Sequence, residues 1–258
     1  MADSLTYPKT KSTTVNRYHT RATYDVQAIH SIVNDSSVLH VSFAPDAEDP
    51  FPAILPMIGT MGSYEYPSAG LDEPLDCYLH GYVSSRIMRL ATSSPQGLPV
   101  SIAATKVDGL VLALTPNAHS YNYRSAILHG YARIVESAEE KVWAMELITN
   151  SVVPDRWRHS RVPPDSAEMQ STKILKVKVT AASGKTREGG PHDEAKDTTR
   201  DDVTGKTWVG VVPVVEKFCG PIAGPENKVA ELPKYIADYV GEANAKAEAY
   251  ALNAARLP

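Results

Sequence analysis

Cysteine is scarce in this chain, with Cys77 and Cys219 as the only two among 258 residues. Two thiols cannot build a disulfide framework or a cysteine zinc cluster, so we expect buried free thiols in a reducing compartment. Long apolar runs are missing too, since no stretch approaches the roughly 18 to 20 residues that cross a bilayer. The polar N-terminus lacks the apolar block of a secretory signal. These absences predict a soluble, cytoplasmic protein without a membrane partner.

Several catalytic and cofactor motifs are also missing. The chain has no glycine-rich dinucleotide fingerprint and no phosphate-binding Walker loop, which excludes the Rossmann and P-loop classes. It has neither a serine-hydrolase elbow nor a His-Glu-x-x-His zinc motif. The net charge is -4 and the pI is near 6.1, which argues against a nucleic-acid binder with a basic surface. A hydrophobic content of 43% is sufficient for a globular core.

Short β-rich runs dominate what is present. They predict strands over residues 38–44, 53–66, 76–82, 100–107, 110–115, 125–135, 173–181 and 208–218. The pair Asp108-Gly109 predicts a two-residue hairpin turn between two of these strands. Helical spacing predicts helices over 24–33, 139–153 and 235–257. The fold class is therefore mainly β with flanking helices, as an antiparallel sheet closed into a barrel.

The chain is expected to have three parts. A flexible polar arm covers residues 1–22, the barrel domain covers 23–220, and a helical extension covers 221–258. Inside the barrel domain, residues 187–206 carry six acidic and four basic side chains and almost no apolar ones. This charged loop is either a mobile solvated loop or a lid beside a site.

The most informative stretch is residues 78–90, which is typical of a buried strand leading into the first turn of a helix. Ser84 or Ser85 can cap that helix, and Arg86 adds a planar cation suited to phosphate. Free N–H groups at a helix start favour an anion. The alternative is a capped surface helix with solvated arginines. His80 ends the strand just before this junction and is either a proton donor or a plain strand-end histidine.

Two further sites could bind a polar or flat ligand. Arg124 and Ser125 stand at the entrance of a strand that follows two tyrosines, although a turn packed on the barrel mouth explains them equally well. Trp208 follows the charged loop and could stack on a flat ring, but tryptophan is more often a core or interface residue.

In their order along the chain, residues 54–60, 78–89, 124–130 and Trp208 resemble the pyridoxamine 5′-phosphate oxidase-like split-barrel superfamily. The likeness is closer to its branch of flavin-nucleotide-binding proteins that includes the nitroimidazole-resistance reductases. The resemblance implies a six-stranded antiparallel split β-barrel of Greek-key character with flanking helices. It also implies FMN as cofactor and a homodimer with two shared sites.

The resemblance also implies roles for particular residues. The backbone of Met57, Ile58 and Gly59 would lie along the flavin ring. The FMN phosphate would be bound by Ser84, Ser85 and Arg86. His80 would sit beside the flavin as the one catalytic group, and Arg124, Ser125 and Trp208 would complete the wall, with Trp208 supplied across the dimer interface.

Departures from the family pattern limit what is carried over. Ser125 stands where the oxidases have glutamine, and Arg86 stands alone where they have an Arg-Lys pair. No counterpart of their C-terminal substrate-binding arginine and histidine is found. We therefore do not expect pyridoxamine phosphate oxidase activity itself.

The function that the resemblance implies is an FMN-dependent oxidoreductase. It would take hydride from a nicotinamide nucleotide, NAD(P)H, and pass electrons to a small organic acceptor. Two alternatives remain open. One is a haem-binding or haem-degrading protein of the same superfamily, with His80, His129 or His192 as axial ligand. The other is a non-enzymatic module in which flavin is absent or structural.

Overall fold

A computed structural model describes residues 4–46 and 48–256. Within these residues nine strands form one sheet: β1 Ala22–Thr23, β2 Leu39–Phe43, β3 Ala53–Met57, β4 Gly59–Gly62, β5 Asp76–Tyr82, β6 Leu98–Leu112, β7 Ser120–Ile134, β8 Thr172–Arg187 and β9 Gly210–Pro213. The α-helices are α1 Val26–Asn34, α2 Arg86–Thr92, α3 Ala138–Val152, α4 Ser166–Ser171, α5 Ala195–Thr198, α6 Asp201–Thr204 and α7 Lys234–Arg256. The mainly β class with flanking helices is confirmed.

The sheet differs from the expected six-stranded closed barrel. Its hydrogen-bonded order is β3-β2-β6-β7-β8-β5-β4, with β1 on β8 and β9 on β6. The end strands β3 and β4 are consecutive and separated by Ile58 alone. β3 pairs with β2, whereas β4 pairs with β5. The chain therefore changes partner strand at Ile58, and the described ladder has nine strands and is not closed.

The predicted hairpin at Asp108-Gly109 is wrong, because β6 runs through both residues without a turn. Asp108 is buried rather than exposed at a turn, with a relative exposure of 5%. The predicted last strand over 208–218 is shorter than expected and covers Gly210–Pro213 only. The prediction of two buried thiols holds for Cys77 but not for Cys219, which is exposed.

The chain divides into two compact units, which are described separately. The first comprises the described parts of Met1–Thr105 and Ser125–Lys185. Its core is built by strand alternation: Leu39, Val41 and Phe43 of β2 point inward and are at most 3% exposed. One face of α1 is buried in the same core. Each fully buried side chain of this kind contributes about 1.5–3 kcal/mol.

A smaller cluster in this unit lies under α3. Tyr78 of β5 is completely buried and packs edge-on against Trp143. Its hydroxyl donates to Glu140 at 2.8 Å, and burial together with this carboxylate raises the pKa of Tyr78. The N-terminal arm reaches the unit as well, since the amide of Tyr7 donates to the carbonyl of Tyr24 at 2.8 Å. Whether the arm is flexible stays a prediction.

The second unit comprises Lys106–Arg124 and the described part of Thr186–Pro258. Its longest element is α7, which confirms the predicted C-terminal helix and buries Ala251 and Ala254. Asn122 is fully buried and donates to the carbonyls of Gly189 and Ala254 at 3.1 and 3.3 Å. None of the described helices combines the length and apolarity that a membrane span requires.

Candidate functional site

The strand change at Ile58 and the end of β5 lie directly beside each other. The amide of His80 donates to the carbonyl of Ile58 at 3.0 Å, and Gly59 pairs with Leu79. Met57 is 9% exposed, whereas the Ile58 side chain is 44% exposed. The structure therefore brings together His80 and the backbone of residues 57–59, as the sequence predicted for one site.

A close approach at Gly81 joins the end of β5 to α2. A Cβ at Gly81 would lie 2.4 Å from Cε of Met88 and 3.5 Å from Cε of Met57. The nearest atom is the flexible end of the Met88 side chain, so a larger residue at Gly81 would require this side chain to move. The Met88 side chain of α2 therefore packs against the end of β5.

Ser85 stands at the N-cap position of α2, but its side chain makes no capping hydrogen bond. The expectation of a serine cap is thus wrong in its contacts. The Ser85 hydroxyl is buried without a hydrogen-bond partner among the described residues. Buried hydroxyls are rarely left in this state, because the lost solvation costs about 1–3 kcal/mol.

The two residues next to Ser85 in the chain, Ser84 and Arg86, are polar as well. Arg86 is exposed, and within the described residues its guanidinium makes no hydrogen bond or ion pair. Ser84 is exposed as well, and its carbonyl accepts a hydrogen bond from Arg89. The first amides of a helix have no intrahelical acceptor. Ser84, Ser85 and Arg86 therefore offer unused donors at three successive positions, an arrangement that can bind an anion.

His80 has an altered proton affinity. Partial burial lowers its pKa, although more than a third of the residue remains accessible to solvent. A lowered histidine pKa favours the neutral ring near pH 7, in which one nitrogen donates and the other accepts. The ring can therefore give or take a single hydrogen bond without carrying a charge.

Ser125 belongs to the first unit, where its hydroxyl donates to the carbonyl of Lys185 at 3.2 Å. Arg124 belongs to the second unit, where its Nε and Nη2 donate to the two oxygens of Asp108 at 3.0 and 2.9 Å. Its guanidinium carbon also lies 3.8 Å from the ring centre of Tyr250. Asp108 and Tyr250 were missed by the sequence analysis, since the hairpin prediction assigned Asp108 to a turn.

Trp208 also lies in the second unit and is 65% exposed. A Cβ at Gly210 would come within 2.8 Å of the indole ring, so this glycine leaves space for it. The exposed ring has the surface needed to stack on a flat partner. The roles of Arg124, Ser125 and Trp208 in binding stay predictions.

A histidine–serine pair in the first unit was not predicted as a site. Nδ1 of His129 lies 2.8 Å from the Ser101 hydroxyl, while its Nε2 is buried without a partner among the described residues. Both residues line a cavity of about 380 Å³. Only the pairing of β6 with β7 brings them together, so sequence spacing gives no signal for this pair. Within the described residues no group of three or more His, Cys, Asp or Glu could hold a metal ion.

These geometries can be compared with known proteins. The family model described as pyridoxamine 5′-phosphate oxidase matches residues 25–186, more than half of the chain. The chain therefore belongs to the pyridoxamine 5′-phosphate oxidase family, and the membership predicted from the sequence is confirmed. A comparison with curated proteins gives no match.

Two solved structures with TM-scores of 0.70 or more show the same fold. The flavocytochrome Anf3 from Azotobacter vinelandii is 23% identical, with a TM-score of 0.72 over 89% of this chain and 97% of that chain. The FAD and haem binding protein from Mycobacterium smegmatis is 21% identical, with a TM-score of 0.70 over 85% of this chain and 97% of that chain. A structure described as a 5-nitroimidazole antibiotic resistance protein from Bacteroides thetaiotaomicron is 22% identical, with a TM-score of 0.47 over 64% of this chain and 85% of that chain.

Proposed function

We propose that this protein binds FMN and is an oxidoreductase that passes electrons from NAD(P)H to a small organic acceptor. The observation that carries the proposal is the junction of β5 and α2, where, among residues 4–46 and 48–256, a buried hydroxyl without a partner stands next to an arginine without an ion pair. Family membership supports the choice of a flavin, as does the flavin in the names of two structures of the same fold.

The residues of this junction fit the terminal phosphate of a flavin nucleotide. The Ser85 hydroxyl gains an acceptor, and Arg86 gains an anion that its planar donors match. Ser84 adds a second hydroxyl at the exposed side of this junction. A bound phosphate therefore relieves the unmet hydrogen bond of Ser85 and neutralises Arg86 in one step.

When bound, the flavin supplies the hydride and electron transfer. The chain's own residues bind and orient it. The backbone of Met57, Ile58 and Gly59 forms an edge beside the ring, and this edge is fixed by the hydrogen bond from His80 to Ile58. The neutral imidazole of His80 holds or donates one proton at this edge, because its lowered pKa leaves it uncharged near pH 7.

A homodimer would complete the site, with Arg124 and Ser125 in its wall and Trp208 contributed across the dimer interface. Exposed apolar side chains support such an interface, since Ile54 and Ile58 are 60% and 44% exposed. A location in the cytoplasm remains part of the proposal.

The test is a titration of the purified protein with FMN, followed by its visible spectrum. We expect a yellow complex with one flavin per chain, and NAD(P)H should bleach it in the absence of oxygen. A protein that ignores FMN would remove the proposal. A flavin complex that no NAD(P)H reduces, with a panel of acceptors present, would support a non-enzymatic flavin module instead.

Haem binding in addition to flavin is the second candidate. Two solved structures that match the fold over most of the chain are named for haem or as a flavocytochrome. His129 fits an axial ligand, since Ser101 fixes one ring nitrogen and the other has no partner in the part of the chain that the structure describes. Haem addition should give a Soret band that His129→Ala abolishes and that His80→Ala and His192→Ala retain. Absence of the band in the unaltered protein would exclude this candidate.

A further inference from the structure

A second cavity lies in the first unit, and none of the residues assigned to the proposed flavin site lines it. Its volume is about 750 Å³, which is within the range of sites for small ligands. We call it the β7–β8 cavity. The lining side chains that matter here are Glu65, Tyr66, Glu73, Tyr131, Arg133 and Lys178.

The cations on its floor differ in how far they are neutralised. Lys176, which also lines the cavity, lies 3.5 Å from Asp76 and 3.0 Å from Glu140. Burial disfavours its charge, but the hydrogen bond and charges of these carboxylates outweigh burial and raise the pKa of Lys176. Lys176 is therefore satisfied by the protein itself.

Arg133 and Lys178 are not satisfied in this way. Within the described residues neither forms an ion pair, and the side chain of Arg133 makes one hydrogen bond, from Nη2 to the carbonyl of Gln96 at 3.2 Å. They stand on the neighbouring strands β7 and β8 and line the same cavity. Lys178 interacts electrostatically with Asp76, but the carboxylate of Asp76 already lies 3.5 Å from Lys176 and forms no ion pair with Lys178. Two cations that line one cavity without ion pairs of their own favour a ligand group with more than one negative charge, such as a phosphate monoester.

The remaining walls match a ring and hydroxyl groups. Tyr131 and Tyr66 are 46% and 69% exposed, which leaves aromatic surface for a planar ring. Glu65 and Glu73 line the cavity as well, and Oε2 of Glu73 accepts from the amide of Gly70 at 2.6 Å. Fixed carboxylates accept hydrogen bonds from sugar hydroxyls, whereas they repel a ligand that is anionic throughout.

From this combination of groups, we infer that the β7–β8 cavity binds a nucleoside monophosphate. Arg133 and Lys178 hold the phosphate, the carboxylates of Glu65 and Glu73 accept from the ribose hydroxyls, and Tyr131 or Tyr66 stacks on the base. The site uses none of the residues assigned to the flavin, so the inference stands or falls independently of the proposed function.

Isothermal titration calorimetry of the full chain with adenosine 5′-monophosphate tests the inference. We expect saturable binding with one site per chain. The Arg133→Gln, Lys178→Gln double variant should weaken binding by about tenfold or more, because two charged contacts are lost. Lys206→Gln removes an exposed lysine outside the cavity and should leave the affinity within about twofold.

Three further measurements sharpen the result. Adenosine and inorganic phosphate should each bind at least about tenfold more weakly than the monophosphate, since each lacks half of the contacts. Tyr131→Leu should weaken binding severalfold and serves as the second variant if the double variant does not fold. The inference would be overturned by the absence of saturable heat, or by an unchanged affinity in the folded double variant or in Tyr131→Leu. Loss of binding in Arg86→Gln would overturn it as well, because that result would place the ligand at the flavin junction.

Discussion

Replacing Ser85 with alanine removes a hydroxyl that is buried at the start of α2 and has no hydrogen-bond partner among the described residues. An N-cap serine that bonds the first turn of its helix contributes about 1 kcal/mol to stability. A buried hydroxyl without a partner instead costs about 1–3 kcal/mol. The two cases therefore predict changes of opposite sign for the same substitution.

We expect Ser85→Ala to leave the free energy of unfolding unchanged or to raise it by about 1 kcal/mol. Its affinity for FMN should fall by about tenfold or more, because one hydrogen bond to a charged phosphate is lost. Urea-induced unfolding without ligand measures the first quantity, and fluorescence titration with FMN measures the second. Stability and binding should thus move in opposite directions.

Ser93→Ala is the matched control at the other end of α2. The Ser93 hydroxyl donates to the carbonyl of Leu90 at 3.1 Å and lies in an exposed position. Its removal should leave FMN affinity within about twofold. The contrary result is a Ser85→Ala variant whose free energy of unfolding falls by about 1 kcal/mol, as for a lost N-cap, and whose affinity for FMN is kept. The hydroxyl would then be a structural cap, and the assignment of the phosphate to this junction would be refuted.

Asp108→Asn should lower the free energy of unfolding, measured in urea, by about 3–5 kcal/mol, because Arg124 is then left as a charge that is only 14% exposed. Joint replacement of Asp108 by leucine and Arg124 by methionine should recover most of the loss. An Asp108→Asn variant as stable as the unaltered protein would contradict a stabilising ion pair. His30 is fully buried and burial lowers its pKa, so the unfolded chain binds the extra proton and stability should fall as the pH drops below about 6.5. In thermal unfolding measured at several pH values, His30→Gln should make the loss of stability at low pH smaller, whereas replacement of the exposed His40 by glutamine should leave that loss unchanged. An unchanged pH dependence in His30→Gln would refute the assignment of the loss to His30. Gly130→Ala should cost about 3 kcal/mol, since its Cβ would lie 2.3 Å from a carbonyl oxygen of β8; a soluble variant of unaltered melting temperature would contradict the close packing.

Local pattern was sufficient to predict most elements of the fold. The β-rich run over β5 and the helical spacing over α1, α3 and α7 predicted these elements to within a few residues. The strand predicted over residues 53–66 was confirmed only in part, because the structure divides this run at Ile58 into β3 and β4 and ends β4 at Gly62. These features depend on contacts between residues close in sequence, which a pattern records directly.

Features that depend on distant partners were missed or wrong. Asp108-Gly109 has the composition of a turn, yet Asp108 faces Arg124, and Gly109 gives space to Val211, whose Cγ1 would lie 2.9 Å from an added Cβ. Nothing local distinguishes an aspartate that turns the chain from one that pairs across a sheet. The same reason hides the pair of His129 and Ser101, and the cations of the β7–β8 cavity.

The candidate site was predictable in its composition but not in its contacts. The resemblance assigned His80 and residues 57–59 to one flavin site, and the backbone hydrogen bond from His80 to Ile58 shows these residues in contact, while their roles toward a flavin stay predictions. The sequence also predicted a serine cap on α2, whereas the structure leaves the Ser85 hydroxyl without a partner. An unmet hydrogen bond is a property of packing and cannot be read from residue types.

The most direct measurement compares FMN with riboflavin, which lacks the phosphate, on the unaltered protein and on Arg86→Gln. Binding of the phosphate by the β5–α2 junction predicts that Arg86→Gln weakens FMN by about tenfold or more and leaves riboflavin unchanged within about twofold. Equal affinities for FMN in the two proteins, or equal losses for both ligands, would contradict the assignment of the phosphate to this junction.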